Sequence, residues 1–464
     1  MIISGKKINW GQNYLCSVLV AIAYLCLHLS GYYDFNLRAI AALGLIPVIS
    51  ATIILLQTRE IRIAVIVLVL YQTWNMFLEP YTWQLPIESL FRTYDRADFP
   101  LMALFSAFSI WSLYIGCFFG IKKIHSNPIF PYNRLTIKQI EFALLLLIVG
   151  GYILQLAQTI ISFFGIPFGF LSLIETMLPA TVGAVALLYW LRGGRKLVYI
   201  IVTVVYIAYY FIYYVGGTLF IYSIFLIVAP TVMYIIERKR IPYKTVIIIA
   251  ILLMPIYMTR HVYRAEGLHA NGPVRMAIGL KILQREYQDL NVSRWLELYQ
   301  AQQENYNVDN RMEGVSYLGT VIRSIDSGRA QYVWGETMIW LPTMIFPHFL
   351  IPFRPSQNMG TEWAVYYGVK DPSWQASINF PMLCEFYANF GYWGMVILSF
   401  FNGLMIMWFM KKFNNGIGDT NLLLLIFVIT KIIVVEANIT LAYGAILQVM
   451  FVCWLIKKFI RIRA

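Results

Sequence analysis

Apolar residues dominate this chain, and the polar breaks between apolar runs lay out its architecture. A helix needs about 20 apolar residues to cross the hydrocarbon core of a bilayer. Twelve stretches meet or approach that length, at roughly 12–31, 38–56, 61–79, 99–121, 139–162, 168–191, 197–215, 217–236, 245–262, 383–410, 420–436 and 440–458. Only "EANIT", Glu436 to Thr440, lies between the last two, which predicts a bent hairpin there. The pattern predicts an all-α polytopic membrane protein in three parts. Transmembrane helices 1–9 occupy residues 1–262, a large loop 263–382, and transmembrane helices 10–12 residues 383–464. Within the loop, Met276, Leu280, Leu283, Tyr287 and Leu290 recur at helical spacing. That is one face of an amphipathic helix, resting on the membrane or packed over the span ends. One stretch, "FPHFLIPFRPSQNMGTEW" from Phe346 to Trp363, fits neither reading. Its prolines would break a spanning helix and leave backbone groups unpaired in lipid. Its aromatic and aliphatic residues are too many for a solvated linker.

Composition agrees with the pattern. Of 464 residues, 59% are hydrophobic and 13% charged, with a mean hydropathy of +0.66; a soluble protein carries about 25% charged residues. The net charge of +13 comes mostly from loops. Alternate short loops hold 21 of the 36 basic residues, among them Lys122, Lys123, Arg134, Lys138, Arg192, Lys196, Arg238 and Lys244. The opposite short loops hold only Arg38, Arg92 and Arg96. Lys and Arg collect on the cytoplasmic side, so both termini are expected there and the large loop outside. Lys6 and Lys7 precede an apolar run with no small-residue cleavage site, which reads as a first membrane helix. No nucleic-acid module is suggested. The five cysteines form no CxxC pair, so neither a disulfide framework nor a zinc site is expected. No internal repeat points to an inverted-repeat transporter.

The outer loop, counted with Arg260 at the end of the ninth span, nonetheless holds eleven basic residues, nine of them Arg. Arg presents a rigid fork of donors that suits phosphate. The chain lacks a phosphate-binding glycine loop, an H-E-x-x-H zinc motif, a G-x-S-x-G elbow and a D-x-D pair. Chemistry is therefore expected to face outward, on substrates attached to lipids. A second unusual stretch, "NFPMLCEFYANFGYWG" from Asn379 to Gly394, opens the tenth span. Its Glu385 is costly at that depth unless paired or solvated. It reads as a general base or sugar-hydroxyl acceptor at a cavity mouth, or as an interfacial glutamate reaching water. Glu175 and Lys431, inside spans six and eleven, are cavity or pairing candidates on the same ground. "GCFFG", Gly116 to Gly120, reads as helix packing more readily than as a dimer interface. Trp334, Trp340, Trp363, Tyr366, Tyr367 and Trp374 could stack on sugar rings or simply pack.

Taken together, Pro347-His348, Pro352, Arg354-Pro355, "GTEWA" at 360–364, and Glu385, Tyr387, Asn389, Phe390, Gly391 and Gly394 resemble the bacterial O-antigen or oligosaccharide repeat-unit polymerases, the Wzy type. The match covers about 50 residues directly. His348 stands where that family has Arg, and Arg354 where it has Lys. The resemblance implies a GT-C-like membrane-helix fold and a glycosyltransferase of lipopolysaccharide biosynthesis in the bacterial inner membrane, acting at its periplasmic face. It implies transfer of a glycan from undecaprenyl pyrophosphate to the terminal sugar of a new lipid-linked repeat unit, with no metal and no cofactor. The partners implied are undecaprenyl-pyrophosphate-linked glycans, the lipid bilayer and a chain-length regulator protein. Arg260, Arg264, Arg323, Arg329 and Arg354 are then expected at the pyrophosphate, and Tyr387 and Asn389 at sugar. Glu385 is the first choice of base, ahead of Asp326, Glu336 and His348. An acidic residue of the first outer loop, Glu79, Glu88, Asp95 or Asp98, is a weaker option. A ligase moving finished glycan to a lipid A core, and a transporter or flippase of lipid-linked oligosaccharide, are the competing expectations.

Overall fold

The computed structural model describes residues 2–3, 6–7, 10–27, 35–58, 60–82, 99–123, 134–163, 169–216, 220–238, 240, 242–259, 272–288, 293–294, 297, 314–346, 351, 359–372, 380–414, 419–433 and 437–463. Among the described residues the chain is all-α apart from a short antiparallel pairing of Ile2–Ile3 with Lys6–Lys7. Its helices are α1 (Trp10–Leu27), α2 (Phe35–Thr58), α3 (Ile61–Phe77), α4 (Phe99–Lys123), α5 (Ile137–Phe163), α6 (Gly169–Leu191), α7 (Leu197–Gly216), α8 (Phe220–Arg238) and α9 (Tyr243–Thr259). Then come α10 (Gly272–Gln288), α11 (Gly314–Asp326), the short α12 (Glu336–Ile339), α13 (Met359–Tyr366), α14 (Met382–Asn414), α15 (Asp419–Ile432) and α16 (Ile439–Arg463).

Each of the twelve apolar stretches corresponds to a helix, α1–α9 and α14–α16. Among the described residues, four helical segments are long and apolar enough to cross a membrane: Asn36–Thr58, Phe99–Lys122, Leu197–Val215 and Met382–Phe413. Many of their apolar side chains stay exposed, such as Ile115, Phe119, Val204, Ile397 and Phe401. Lipid is a solvent that accepts such a surface.

The chain divides into two compact units. The first comprises Met1–Pro131, Asn310–Gly416 and Val428–Ala464. Its axis is the crossing of α4 and α14. Gly403 lies so close to α4 that an added Cβ would come 2.5 Å from the Leu113 carbonyl oxygen and 2.7 Å from the Cys117 nitrogen. A Cβ on Gly116 would overlap the Phe400 carbonyl. Two backbones can approach this closely only where neither carries a side chain. The Ser112 hydroxyl adds a 2.7 Å hydrogen bond to the Val396 carbonyl. Gly116 of "GCFFG" is thus used inside the chain, as helix packing.

The second unit comprises Tyr132–Asp309 and Ile417–Phe427. Here α6 packs on α8 and α7 at Gly183, whose position lets Pro230 and Ile207 within van der Waals reach. The amphipathic helix of the loop is present as α10, but its buried face differs from the expected stripe. Leu280 is 52% exposed, whereas Ile282 is buried and packs with Val215, beside Ile278 and Leu283. The cause is Gly279, where any Cβ would overlap the backbone of Ile212 in α7. Close approach at a glycine shifts the buried side, which keeps Leu283 of the stripe and leaves Leu280 outside it. Arg275 shares the buried side, its guanidinium 4.8 Å from the centre of the Tyr213 ring. Of the expected stripe, the Tyr287 side chain and Leu290 lie outside the described residues.

Replacing Gly403 by Leu forces several atoms into the α4 backbone, so a loss of about 3 kcal/mol or more is expected. The monodisperse peak in detergent size-exclusion chromatography should collapse, while Phe401→Leu, on the exposed side of the same helix, should leave it intact.

Candidate functional site

The start of α14 contains the stretch from Glu385 to Gly394, and it is not one continuous helix. Phe390 (φ −143°) and Gly391 (φ +66°, ψ −159°) leave helical geometry in its middle. A positive φ suits glycine, which has no Cβ to clash. The break opens the helical hydrogen-bond ladder, and a second segment of the chain occupies the opening. Val333 donates its N–H to the Ala388 carbonyl at 3.0 Å. Gly335 donates its N–H to Asn389 Oδ1 at 2.7 Å. Asn389 Nδ2 donates to the Thr337 hydroxyl at 2.8 Å and to the Glu385 carbonyl at 2.7 Å. Asn389 is fully buried, and these bonds tie residues 333–337 to the broken turn. The clamped segment is itself contorted. Gly335 has φ +91°, and Trp334 has φ +46° with its side chain 72% exposed. A bulky residue in the left-handed region carries strain of about 1–2 kcal/mol.

Glu385 sits one turn before Asn389 and is 1% exposed. Its Oε2 accepts the backbone N–H of Ile439 at 2.7 Å. Ile439 is the first residue of α16, whose N-cap is Asn438; Asn438 Oδ1 takes the Leu441 N–H at 3.3 Å. Glu385 therefore uses one carboxylate oxygen on a free helix-end donor, a favourable place for negative charge. Its Oε1 is buried and makes no hydrogen bond among the described residues. The Thr337 hydroxyl acts on the carboxyl without closing a bond of normal geometry.

Next to this carboxyl lies an apolar cavity of about 610 Å³. Phe386, adjacent to Glu385, and Ile439, its hydrogen-bond partner, both line it. From there the lining follows Leu398, Phe401, Leu404, Met405 and Trp408 along α14, within a segment able to cross a membrane. Asn402 is the polar residue in the wall, and it accepts the Tyr443 hydroxyl.

On the other side of the clamped segment, α11 ends in a turn carrying Arg323, Asp326 and Arg329, all exposed. The turn is held from beneath. Ser324 Oγ donates to the Tyr367 carbonyl at 2.9 Å, and the Tyr367 hydroxyl donates to the Gln331 carbonyl at 2.9 Å. Burial pushes the Tyr367 phenol pKa upward, with the nearby Tyr366, Glu336 and Tyr332 adding to the rise. Gly368 (φ +76°) leaves room for the Arg329 guanidinium, which stands 3.0 Å from where a Cβ would lie. "GTEWA" falls on α13, and Gly360 faces Asn438 and the Phe380 backbone, where a Cβ would come within 3.5 Å of both. Parts of three sequence motifs thus meet around the start of α16.

The structure accordingly brings together Glu385, Tyr387 and Asn389, and joins them through residues 330–337 to Arg323, Asp326 and Arg329. Tyr387 is 2% exposed, its hydroxyl 3.5 Å from that of Tyr332. Tyr387 and Asn389 are both packed within the chain, and Asn389 has its polar atoms occupied. Arg260, Arg264, His348, Arg354, Trp374, Glu88, Asp95 and Asp98 lie outside the described residues, as do the side chains of Glu79 and Glu175. Lys431 is partly exposed on α15, and Glu336 is exposed at the start of α12. Sequence reasoning passed over Thr337 and the α16 N-terminus. The second had a signal, since Asn438 before an apolar run is an N-cap pattern. Thr337 had none. Among the described residues no group of His, Cys, Asp and Glu is arranged to hold a metal. No family model, curated protein or solved structure matches the chain.

Asn389→Ala removes both ends of the clamp and leaves the Gly335 N–H without its acceptor. A loss of about 3 kcal/mol is expected. Hydrogen exchange should accelerate at Val333 and Gly335 and stay slow at residues 315–322 of α11. Unchanged exchange at Gly335 would show that the clamp is not what holds this segment.

Proposed function

We propose that the chain is a glycosyltransferase that extends glycans carried on a polyisoprenyl pyrophosphate, a repeat-unit polymerase acting at the outer face of a bacterial inner membrane. The observation that carries this reading is the position of Glu385. It is a buried carboxylate with one oxygen committed and the other unpaired, beside two residues that line an apolar cavity on a membrane-length helix, and linked to a segment leading to two exposed arginines. The resemblance of "GTEWA" and of Glu385 to Gly394 to the Wzy-type family supports it.

In this reading the acceptor sugar hydroxyl gives its proton to Glu385 Oε1. The hydroxyl oxygen forms the new bond to the anomeric carbon of the donor glycan as the bond from that carbon to the pyrophosphate oxygen breaks. The electron pair leaves with the lipid pyrophosphate. Arg323 and Arg329, and Arg260, Arg264 and Arg354 as the resemblance implies, stabilise that anion. Such preorganised charge is worth several kcal/mol at a water-poor site, and a positioned base about 10²–10⁴ in rate. The apolar cavity takes the first isoprene units. Asn389 is a positioning residue that sets Thr337 and the Glu385 turn, and Trp334 offers an exposed ring for sugar stacking. Asp326 and His348 remain the alternative bases.

The test is incubation of purified protein with synthetic undecaprenyl-pyrophosphate repeat units and nothing else. A product ladder is expected; transport in liposomes without any ladder would overturn the proposal, and transfer only when lipid A core is added would make the chain a ligase. Glu385→Gln keeps an oxygen for the Ile439 N–H, so it should fold normally and lose extension by about 10²-fold or more. Wild-type ladders from this variant would remove Glu385 from the role. Trp334→Gly should keep stability within about 1 kcal/mol, since relief of the left-handed strain offsets the glycine entropy. Its KM for the acceptor should rise while kcat changes little.

A further inference from the structure

In the second unit, the start of α5 and the ends of α6 and α8 border a cavity of about 420 Å³. Three arginines line it, Arg134, Arg192 and Arg238, with a single carboxylate, Glu237. Arg192 reaches Glu237 through two nitrogens, at 3.2 and 3.4 Å, and donates a third N–H to the Leu135 carbonyl at 3.2 Å. Arg134 stands 3.6 Å from the same carboxylate, and its side chain is 65% exposed. Arg238 is exposed and has no ion pair among the described residues. Among the described lining residues, one carboxylate thus stands against three guanidiniums. The neighbouring basic residue is treated differently. Lys196 binds Glu141 at 2.6 Å, one cation to one anion, and that contact raises the pKa of its ammonium. The first turn of α5 is already closed by a capping box, with the Thr136 N–H on Gln139 Oε1 at 2.9 Å and the Gln139 N–H on Thr136 Oγ1 at 3.4 Å. The unmatched charge of the cavity therefore lies in the guanidiniums, not in helix-end donors.

The rim of the cavity is apolar and open. Ile137, in the lining, is 38% exposed, and Trp190, next in the chain to the lining residue Leu191, is 57% exposed. Tryptophan beside charged residues at the ends of apolar helices marks the level of lipid headgroups.

We infer that this cavity binds the phosphate of an anionic lipid, with Arg134 and Arg238 as the exposed donors and Arg192 as a fixed one. Arg offers two parallel donors to a phosphate and keeps its charge at any physiological pH. A free phosphate ion shares that chemistry. The apolar side of the site selects the lipid, because the acyl chains then cover Ile137 and the neighbouring Trp190. The loops involved belong to the Lys- and Arg-rich set, whose expected side faces the leaflet that carries anionic lipids. The site is independent of the glycan chemistry proposed above, and it stands if that proposal fails.

The test uses the full chain in a neutral maltoside, titrated with dioleoylphosphatidylglycerol and read by native mass spectrometry. The variant Arg134→Gln/Arg238→Gln leaves the Arg192–Glu237 pair in place and alters only exposed side chains. Each arginine near an anionic headgroup contributes about fivefold in affinity, so the pair should weaken the tightest lipid by about 25-fold. Lys122→Gln/Lys244→Gln removes the same charge elsewhere and should change it less than about threefold. Glu237→Gln should tighten binding, because the competing anion is gone. Equal weakening in the two double variants would overturn the site. Equal retention of dioleoylphosphatidylcholine would do the same. Full competition by inorganic phosphate at its own micromolar affinity would make the ligand a soluble anion and end the lipid assignment.

Discussion

A helix that breaks in apolar surroundings must find new donors for the carbonyls it uncovers. At Phe390–Gly391 the break in α14 meets this demand by recruiting residues 333–337, with Val333 on the Ala388 carbonyl and Gly335 on the Asn389 side chain. In lipid an unsatisfied backbone group costs several kcal/mol, so the clamp and the break require each other. Everything near Glu385 follows from that exchange. Thr337 is placed by Asn389, Tyr332 meets Tyr387, and the arginine turn is joined to the carboxylate by six or so residues that cannot drift. Asn389 also holds the Glu385 carbonyl, so the same side chain governs both the recruited segment and the turn carrying the carboxylate.

The broken turn needs a base that does not move, and the α4–α14 crossing supplies it. Gly116 and Gly403 bring the two backbones into direct contact, and Ser112 adds a bond to Val396, two residues past Gly394. Rigid helix below and irregular backbone above is the arrangement that membrane-embedded sites favour. Irregular backbone is tolerated there only when protein covers it. Here α11, α12 and the start of α16 form the cover.

Long apolar runs made the helices legible in the sequence, because bilayer-length segments of low charge leave few alternatives. The faces of those helices were less legible. In α10 the leucine stripe predicted one buried side, and Gly279 imposed another, since backbone contact with Ile212 outweighs a few partly exposed leucines. The motif from Glu385 to Gly394 was visible as a string of residues, but not what each one does. Gly391 is a positive-φ break, Gly394 makes room for the Phe386 carbonyl, and Asn389 is a clamp. None of these roles has a periodicity, and their partners lie more than 40 residues away in the chain. The Glu385–Ile439 bond spans 54 positions and depends on a helix start, so pattern alone could not pair them.

Two carboxylates in this chain show how the choice of partner decides what a carboxyl group has left to offer. Glu237 binds guanidiniums with both oxygens and is consumed by them; it fixes Arg192 and leaves positive charge to spare. Glu385 binds no cation among the described residues. Its one formed bond is to a peptide N–H at a helix end, which orients the carboxyl without neutralising it. A guanidinium in that place would occupy both oxygens in a fork and leave neither for another donor. The N–H occupies one. The cost of burying the second oxygen unpaired is about 1–3 kcal/mol, and it is offset by the packing and hydrogen bonds of the clamp around it.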